Sequence, residues 1–151
     1  MNSKQETPWT NPRFKNWIAL VRAEKAVVQT LTKALAPLEI KIPQLDILMN
    51  IHRHPGLSQH DLARRLLVGR SNITMLLPQM EAQGLMRREG DAKDKRVMRL
   101  YLTEGGELLL AKALEIYSDL INRVMAQSSE QECNLIGVRM TQIAEMLNEP
   151  S

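Results

Sequence analysis

The sequence predicts a mainly α fold of the α+β class, in which a series of helices is interrupted once by a two-stranded hairpin. Three observations point there. Apolar residues recur at three- and four-residue spacing through most of the 151-residue chain, the period of helices with one buried face. Aromatic residues make up only 3% while methionine numbers nine, and strands favour aromatic and β-branched side chains. The one change of period comes mid-chain, where Met98, Leu100 and Leu102 alternate with Val97, Arg99 and Tyr101.

Asn11-Pro12 reads as a helix start, since Asn caps and Pro suits the first helical position. Phe14, Val21, Val28 and Leu35 then repeat every seven residues, with Trp17 and Leu31 on a second seam that Glu24 breaks. So narrow a stripe belongs to a long helix, and Pro37 ends it near Ala36. Pro43 opens a shorter helix with Leu45, Leu48 and Met49 inward, and His54-Pro55-Gly56 stops it. Ser58 caps a third helix, with Asp61 in its first turn and Leu62, Ala63 and Leu66 on its inner face. After a turn at Val68-Gly69, a fourth helix is predicted from Arg70 to about Gln83. Its inner face is Ile73, Leu76, Leu77 and Met80, and Gly84 is its left-handed C-terminal cap. Leu85 to Glu89 and Arg96 to Leu102 are the strands, and Gly90 to Lys95 is a charged hairpin tip. Thr103 caps a fifth helix striped by Leu110, Leu114, Tyr117, Ile121 and Val124. Ser129 and Glu132 form a capping box for a sixth, striped by Ile136, Met140, Ile143 and Leu147.

Short helix, turn, helix, glycine and a hairpin with a basic tip make a winged helix-turn-helix. Held on the core by one face, the second helix of the pair offers its other face to a DNA major groove. At about 100° per residue, Ser71, Thr74, Met75, Pro78, Gln79 and Ala82 lie opposite the inner set. Ser71, Thr74 and Gln79 carry groups that hydrogen-bond to base edges or phosphates, and Met75 suits a thymine methyl. Arg70 and Asn72 flank the helix start, where phosphate is favoured. Net charge is +3 overall, but residues 58–103 hold nine Lys or Arg against five Asp or Glu, net +4, and the remainder is net −1. A solvated face alone would account for such an excess; its concentration around the helix pair and hairpin favours a polyanion.

Leu57-Ser58-Gln59-His60-Asp61-Leu62-Ala63-Arg64-Arg65-Leu66, Arg70-Ser71-Asn72-Ile73-Thr74 and Met80 to Arg88 resemble the helix-turn-helix of the MarR (multiple antibiotic resistance regulator) family. Asp91-x-Lys93-Asp94-Lys95-Arg96, then Leu100-x-Leu102-Thr103-Glu104-x-Gly106, resembles that family's wing signature, the most specific part of a match covering roughly residues 12 to 147. The resemblance implies a sequence-specific, double-stranded-DNA-binding transcriptional regulator. It further implies a ligand-responsive repressor that binds a pseudo-palindromic operator as a homodimer. DNA contacts would come from Ser58, Gln59, Arg70, Ser71, Asn72, Thr74, Met75 and Lys93, and from Arg96 in the minor groove, oriented by Asp94. The whole chain, 1–151, is read as one regulator domain. Segments 11–36 and 104–148 dimerise around a 43–103 lobe, which fits the apolar surface that two long terminal elements leave uncovered. A small anionic or phenolic effector would sit among Trp17, Val21, Arg22, Leu48, His52 and Tyr117. Three departures stand out. Lys93 occupies a position where the family often has Arg. Gly69 stands where Ser or Thr would cap. Pro78 interrupts the recognition helix, where it is expected to kink or loosen it.

Other readings are weaker. His52, His54 and His60 lack a nearby Cys to complete a zinc site, so no metal and no cofactor is expected. Lone Cys133, beside Glu132, does not suit a peroxide sensor. No nucleophile elbow, phosphate loop or Cys/His metal set points to an enzyme. No apolar run approaches the ~20 residues of a membrane span, and the polar start and single cysteine fit a cytoplasmic protein. The competing function is a constitutive architectural DNA-binding protein without an effector, which would bend unrelated sequences with equal affinity.

Overall fold

The computed structural model describes residues 7–66 and 72–148. After a 3-10 turn at Pro8–Thr10 come α1 (Phe14–Leu35), a 3-10 turn (Ala36–Leu38), α2 (Ile42–Arg53), α3 (Gln59–Arg65), α4 (Ile73–Ala82), β1 (Met86–Gly90), β2 (Met98–Leu102), α5 (Glu104–Met125) and α6 (Glu130–Asn148). The mainly α architecture with a single hairpin is thus as predicted. Element ends follow local chemistry. Asn11 Oδ1 accepts the Arg13 N–H at 2.8 Å, as a capping residue should, but regular helix begins only at Phe14. Ser58 Oγ accepts the Asp61 N–H at 3.0 Å and starts α3. Gln44 Oε1 takes the Lys41 N–H at 2.9 Å at the start of α2. At α6 the capping box closes from both sides: Glu132 N–H to Ser129 Oγ at 3.2 Å, and Ser129 N–H to Glu132 Oε2 at 2.8 Å.

The hairpin is antiparallel, with Arg88 opposite Leu100 at its centre. Its second strand begins at Met98, not Arg96, because the tip is tied into a turn: Asp91 N–H bonds Val97 O at 2.8 Å and Val97 N–H bonds Asp94 O at 2.9 Å. A third partner was not foreseen. Gly56 N–H bonds Leu100 O at 2.8 Å, Leu100 N–H bonds Leu57 O at 3.0 Å, and Ser58 bridges Arg99. Leu57 and Ser58 are too short a segment to carry an alternation signal, yet they moor the hairpin to α3.

Two compact units are present, Met1–Ala113 and Leu114–Ser151. In the first, Leu31 and Leu35 of α1, Leu45, Ile47, Leu48 and Ile51 of α2, Leu62 of α3, Ile73, Leu77 and Met80 of α4, Met86 and Leu100 of the hairpin, and Leu110 are buried. Apolar side chains of α1 are buried at its end but exposed earlier, at Trp17, Val21 and Val28. In the second unit, Ile121 and Val124 of α5 and Leu135, Ile136, Val138, Met140, Met146 and Leu147 of α6 are exposed. Among the described residues, no helix is long and apolar enough to cross a membrane.

One junction joins α4, the hairpin and α5. Gly84, at φ +73°, ends α4 in a left-handed turn that favours glycine. Leu85 N–H bonds Met80 O at 3.0 Å and Gly84 N–H bonds Glu81 O at 3.0 Å, the paired bonds of a Schellman cap. Thr103 Oγ1 donates to Gly84 O and accepts the Gly106 N–H at 3.0 Å, while Thr103 N–H bonds Leu85 O at 3.1 Å. The first turn of α5 is thereby drawn onto the end of α4. A Cβ on Gly106 would stand 1.9 Å from Leu85 O. Gly106→Ala therefore forces backbone apart and should cost about 3 kcal/mol. Urea denaturation should show a lowered midpoint; an unchanged midpoint would mean that the junction is loosely packed.

Candidate nucleic-acid interface

Between α3, the start of α4 and the wing lies an open cleft of about 790 Å³. Ser58, Gln59, His60, Asp61 and Ala63 line one side, Ile73 and Thr74 the second, and Arg96 to Arg99 the third. The exposed face of α4 is the expected one. Thr74, Met75, Pro78, Gln79 and Ala82 are exposed, Met75 at 65%, while Ile73, Leu77 and Met80 are buried. Helix α4 continues across Pro78. Asn72 is exposed just before it. Arg70 and Ser71, with Gly69 and the predicted first turn of this helix, lie outside the described residues.

The wing tip is built from carboxylates that hold arginines and backbone N–H groups. Asp94 accepts from Arg96 twice, Nε to Oδ1 at 3.0 Å and Nη2 to Oδ2 at 3.0 Å, and takes the Arg96 backbone N–H at 3.1 Å. The Arg96 side chain is nonetheless 91% exposed, so the pair fixes its direction without removing it from solvent. Asp91 performs a second task. Its Oδ2 takes the N–H groups of Lys93 and Asp94, both at 3.1 Å, and its Oδ1 takes Arg99 Nε at 3.0 Å. Arg99 also reaches Gly56 O at 3.3 Å. Hydrogen bonds from Arg99 and Arg96, respectively, hold Asp91 and Asp94 below the ordinary aspartate value, and Asp94 raises Arg96. The Asp91–Arg99 brace went unread in the sequence; the signal available was an acid and a base on opposite strands of one hairpin. Arg88, clasped by Glu81 of α4, was missed in the same way.

The remaining predicted residues are placed as follows. Ser58 is buried on the cleft wall with its hydroxyl accepting the α3 cap bond, and Gln59 is half-buried beside it. Lys93 is exposed at the tip. Of the residues assigned to an effector pocket, Leu48 is fully buried in the core of the first unit. His52 Nδ1 lies 2.7 Å from Glu107 Oε2, joining α2 to the first turn of α5. Val21 and Arg22 are exposed on α1. Trp17 lines a hollow of about 370 Å³ with Pro8, Asn11, Arg13 and Phe14. Tyr117 is half-buried and belongs to the second unit. Among the described residues, no group of three or more His, Cys, Asp or Glu is arranged to hold a metal ion.

Comparison with known proteins adds three findings. A family model described as MarR family matches residues 38–97. Transcriptional regulator HosA of Escherichia coli O127:H6 is 32% identical over 106 residues, covering 70% of this chain and 76% of that protein. Two solved structures share the fold: the S. aureus MepR–DNA complex, with TM-score 0.79, 24% identity and coverage of 85% of this chain and 96% of that one, and the organohalide-sensing RdhR regulator in its 2,4-dichlorophenol-bound form, with TM-score 0.78, 19% identity and coverage of 97% and 88%.

The electrostatics of the tip give a testable pH dependence. Both wing aspartates are depressed on folding, so what they contribute is fully present above their ordinary value and is lost as pH falls through the folded one. In carboxylate carbon NMR spectra, Asp91 and Asp94 should titrate with midpoints below 3.8, and the wing amides should shift along with them. Midpoints at or above that value would mean that the arginine pairs do not form in solution.

Proposed function

The chain belongs to the MarR family of transcriptional regulators, and from that premise we propose that it represses transcription as a homodimer bound to a pseudo-palindromic DNA operator. The observation that carries this reading is the cleft shared by α3, the start of α4 at Ile73 and Thr74, and the Arg96-bearing wing. In each subunit α4 enters the major groove, where Thr74 and Met75, with Ser71 and Arg70, meet base edges and phosphates. Arg96 enters the adjoining minor groove, whose negative potential is greatest where A·T pairs narrow it. Asn72, Gln59, Ser58 and Lys93 contribute backbone contacts.

Dimerisation is supported by the apolar side chains left in water on α1, α5 and α6. Covering one Leu or Ile contributes about 1.5–3 kcal/mol, and Ile121, Leu135, Ile136 and Leu147 are all exposed in the single chain. Segments 11–36 and 104–148 supply this surface and flank the 43–103 lobe. Two-fold symmetry then requires half-sites about one helical turn, ~10 base pairs, apart.

Selection of bound duplexes from a random pool tests the reading, followed by titration at several salt concentrations. A palindrome should emerge. Arg96→Ala should weaken binding to most sequences and reduce the salt slope by about one unit per lost phosphate-neutralising charge, hence about two per dimer. Helicity should be unchanged, because so exposed a side chain buries little. Unchanged affinity and slope would remove the wing from the interface, and equal affinity for unrelated duplexes would favour an architectural role.

An effector of anionic or phenolic character completes the proposal. Its class is supported by the phenol-bound form of the structural neighbour. Because linkage is reciprocal, 2,4-dichlorophenol or a related phenol should bind the operator complex more weakly than the free protein. Calorimetry with and without operator measures this; equal affinity in the two states would exclude regulation by that ligand.

A further inference from the structure

Helix α4 and strand β1 are joined by more than the chain. Arg88 donates to Glu81 from three nitrogens: backbone N to Oε2 at 3.1 Å, Nε to Oε2 at 3.2 Å and Nη2 to Oε1 at 3.2 Å. Both side chains are partly buried, Arg88 at 28% exposure and Glu81 at 38%. A bidentate arginine–carboxylate pair fixes angle as well as distance. The Glu81 carboxyl is correspondingly held below its ordinary value, chiefly by the Arg88 hydrogen bond.

The location gives the pair its significance. Pro78 lies one turn before the end of α4. It has no N–H to donate and so thins the helix's own bonding there. The last turn is steadied from beyond the helix, by the Gly84 cap and by Arg88. Strand β1, for its part, has β2 on one side only and leads directly to the tip that carries Arg96. The hairpin is moored to α3 through β2, at Leu57 and Ser58, and the Glu81–Arg88 pair adds a direct side-chain tie from β1 to α4. Neither Glu81 nor Arg88 lines the cleft.

We propose that Glu81 and Arg88 are positioning residues that lock the wing to the recognition helix, so that major-groove and minor-groove contacts are made in one fixed register. This deepens the DNA-binding reading above and rests on it. The pair touches no DNA; it acts by holding Thr74 and Met75 at a set distance and angle from Arg96.

The test uses the full-length protein and the selected palindrome, a variant palindrome with G·C flanks in place of A·T, and a scrambled duplex. Glu81→Ala should weaken binding to the palindrome about tenfold, the size of a typical coupling between interacting groups, and should bring the two flanks towards equal affinity. Binding to the scrambled duplex, which depends on charge and not on register, should hardly change. Glu81→Gln keeps an acceptor for the Arg88 N–H groups and should recover part of the loss. Two outcomes would overturn the inference: equal losses on palindrome and scrambled duplex, which signal general damage to the fold, or no loss on either. A wild-type protein that prefers no duplex would overturn the DNA-binding reading itself, and the lock with it.

Discussion

The left-handed turn at Gly84 is the constraint on which the reading surface depends. It ends α4, turns the chain into β1 and offers its carbonyl to Thr103 Oγ1, the residue that starts α5. Because Thr103 N–H also bonds Leu85 O, and Gly106 lies against the same carbonyl, helix, hairpin and α5 meet within a few residues of one glycine. A side chain at Gly106 would push these elements apart, and one at Gly84 would strain its left-handed backbone. The end of α4, the root of the wing and the start of α5 are thereby joined by a short chain of hydrogen bonds through Thr103.

The charged pairs of the wing play a different part. Arg96–Asp94, Arg99–Asp91 and Arg88–Glu81 all lie at or near the surface, where water screens ion pairs and they add little to stability. Folding of the first unit rests instead on its buried aliphatic side chains. What the pairs supply is direction. Each carboxylate captures at least one backbone N–H together with a guanidinium, so the acid holds the backbone and aims the base at once.

Much of this was legible in the sequence, for physical reasons. The inner set Ile73, Leu76, Leu77 and Met80 and the outer positions Thr74, Met75 and Gln79 follow from the helical period alone; Ile73, Leu77 and Met80 are buried, Leu76 is half-buried, and Thr74, Met75 and Gln79 are exposed. Ser58, Gly84, Thr103 and the Ser129–Glu132 box declare themselves because capping is local chemistry. The features that stayed hidden are those that join distant segments. The Leu57–Ser58 bridge to β2 is too short to show a period. Asp91–Arg99 and Glu81–Arg88 require knowing the hairpin register and the angle of α4. The start of α1 falls at Phe14, although Asn11 carries the capping bond, because one turn intervenes before the regular ladder begins.

In the proposed dimer, one cleft on each subunit reads two adjacent grooves. Hydroxyl-radical footprinting of the protein on its selected palindrome tests it most directly. Two equivalent protected tracts should appear about one helical turn apart, each extending into a flanking minor groove on its outer side. Protection of a single tract, or of the two major-groove steps without their flanks, would contradict it.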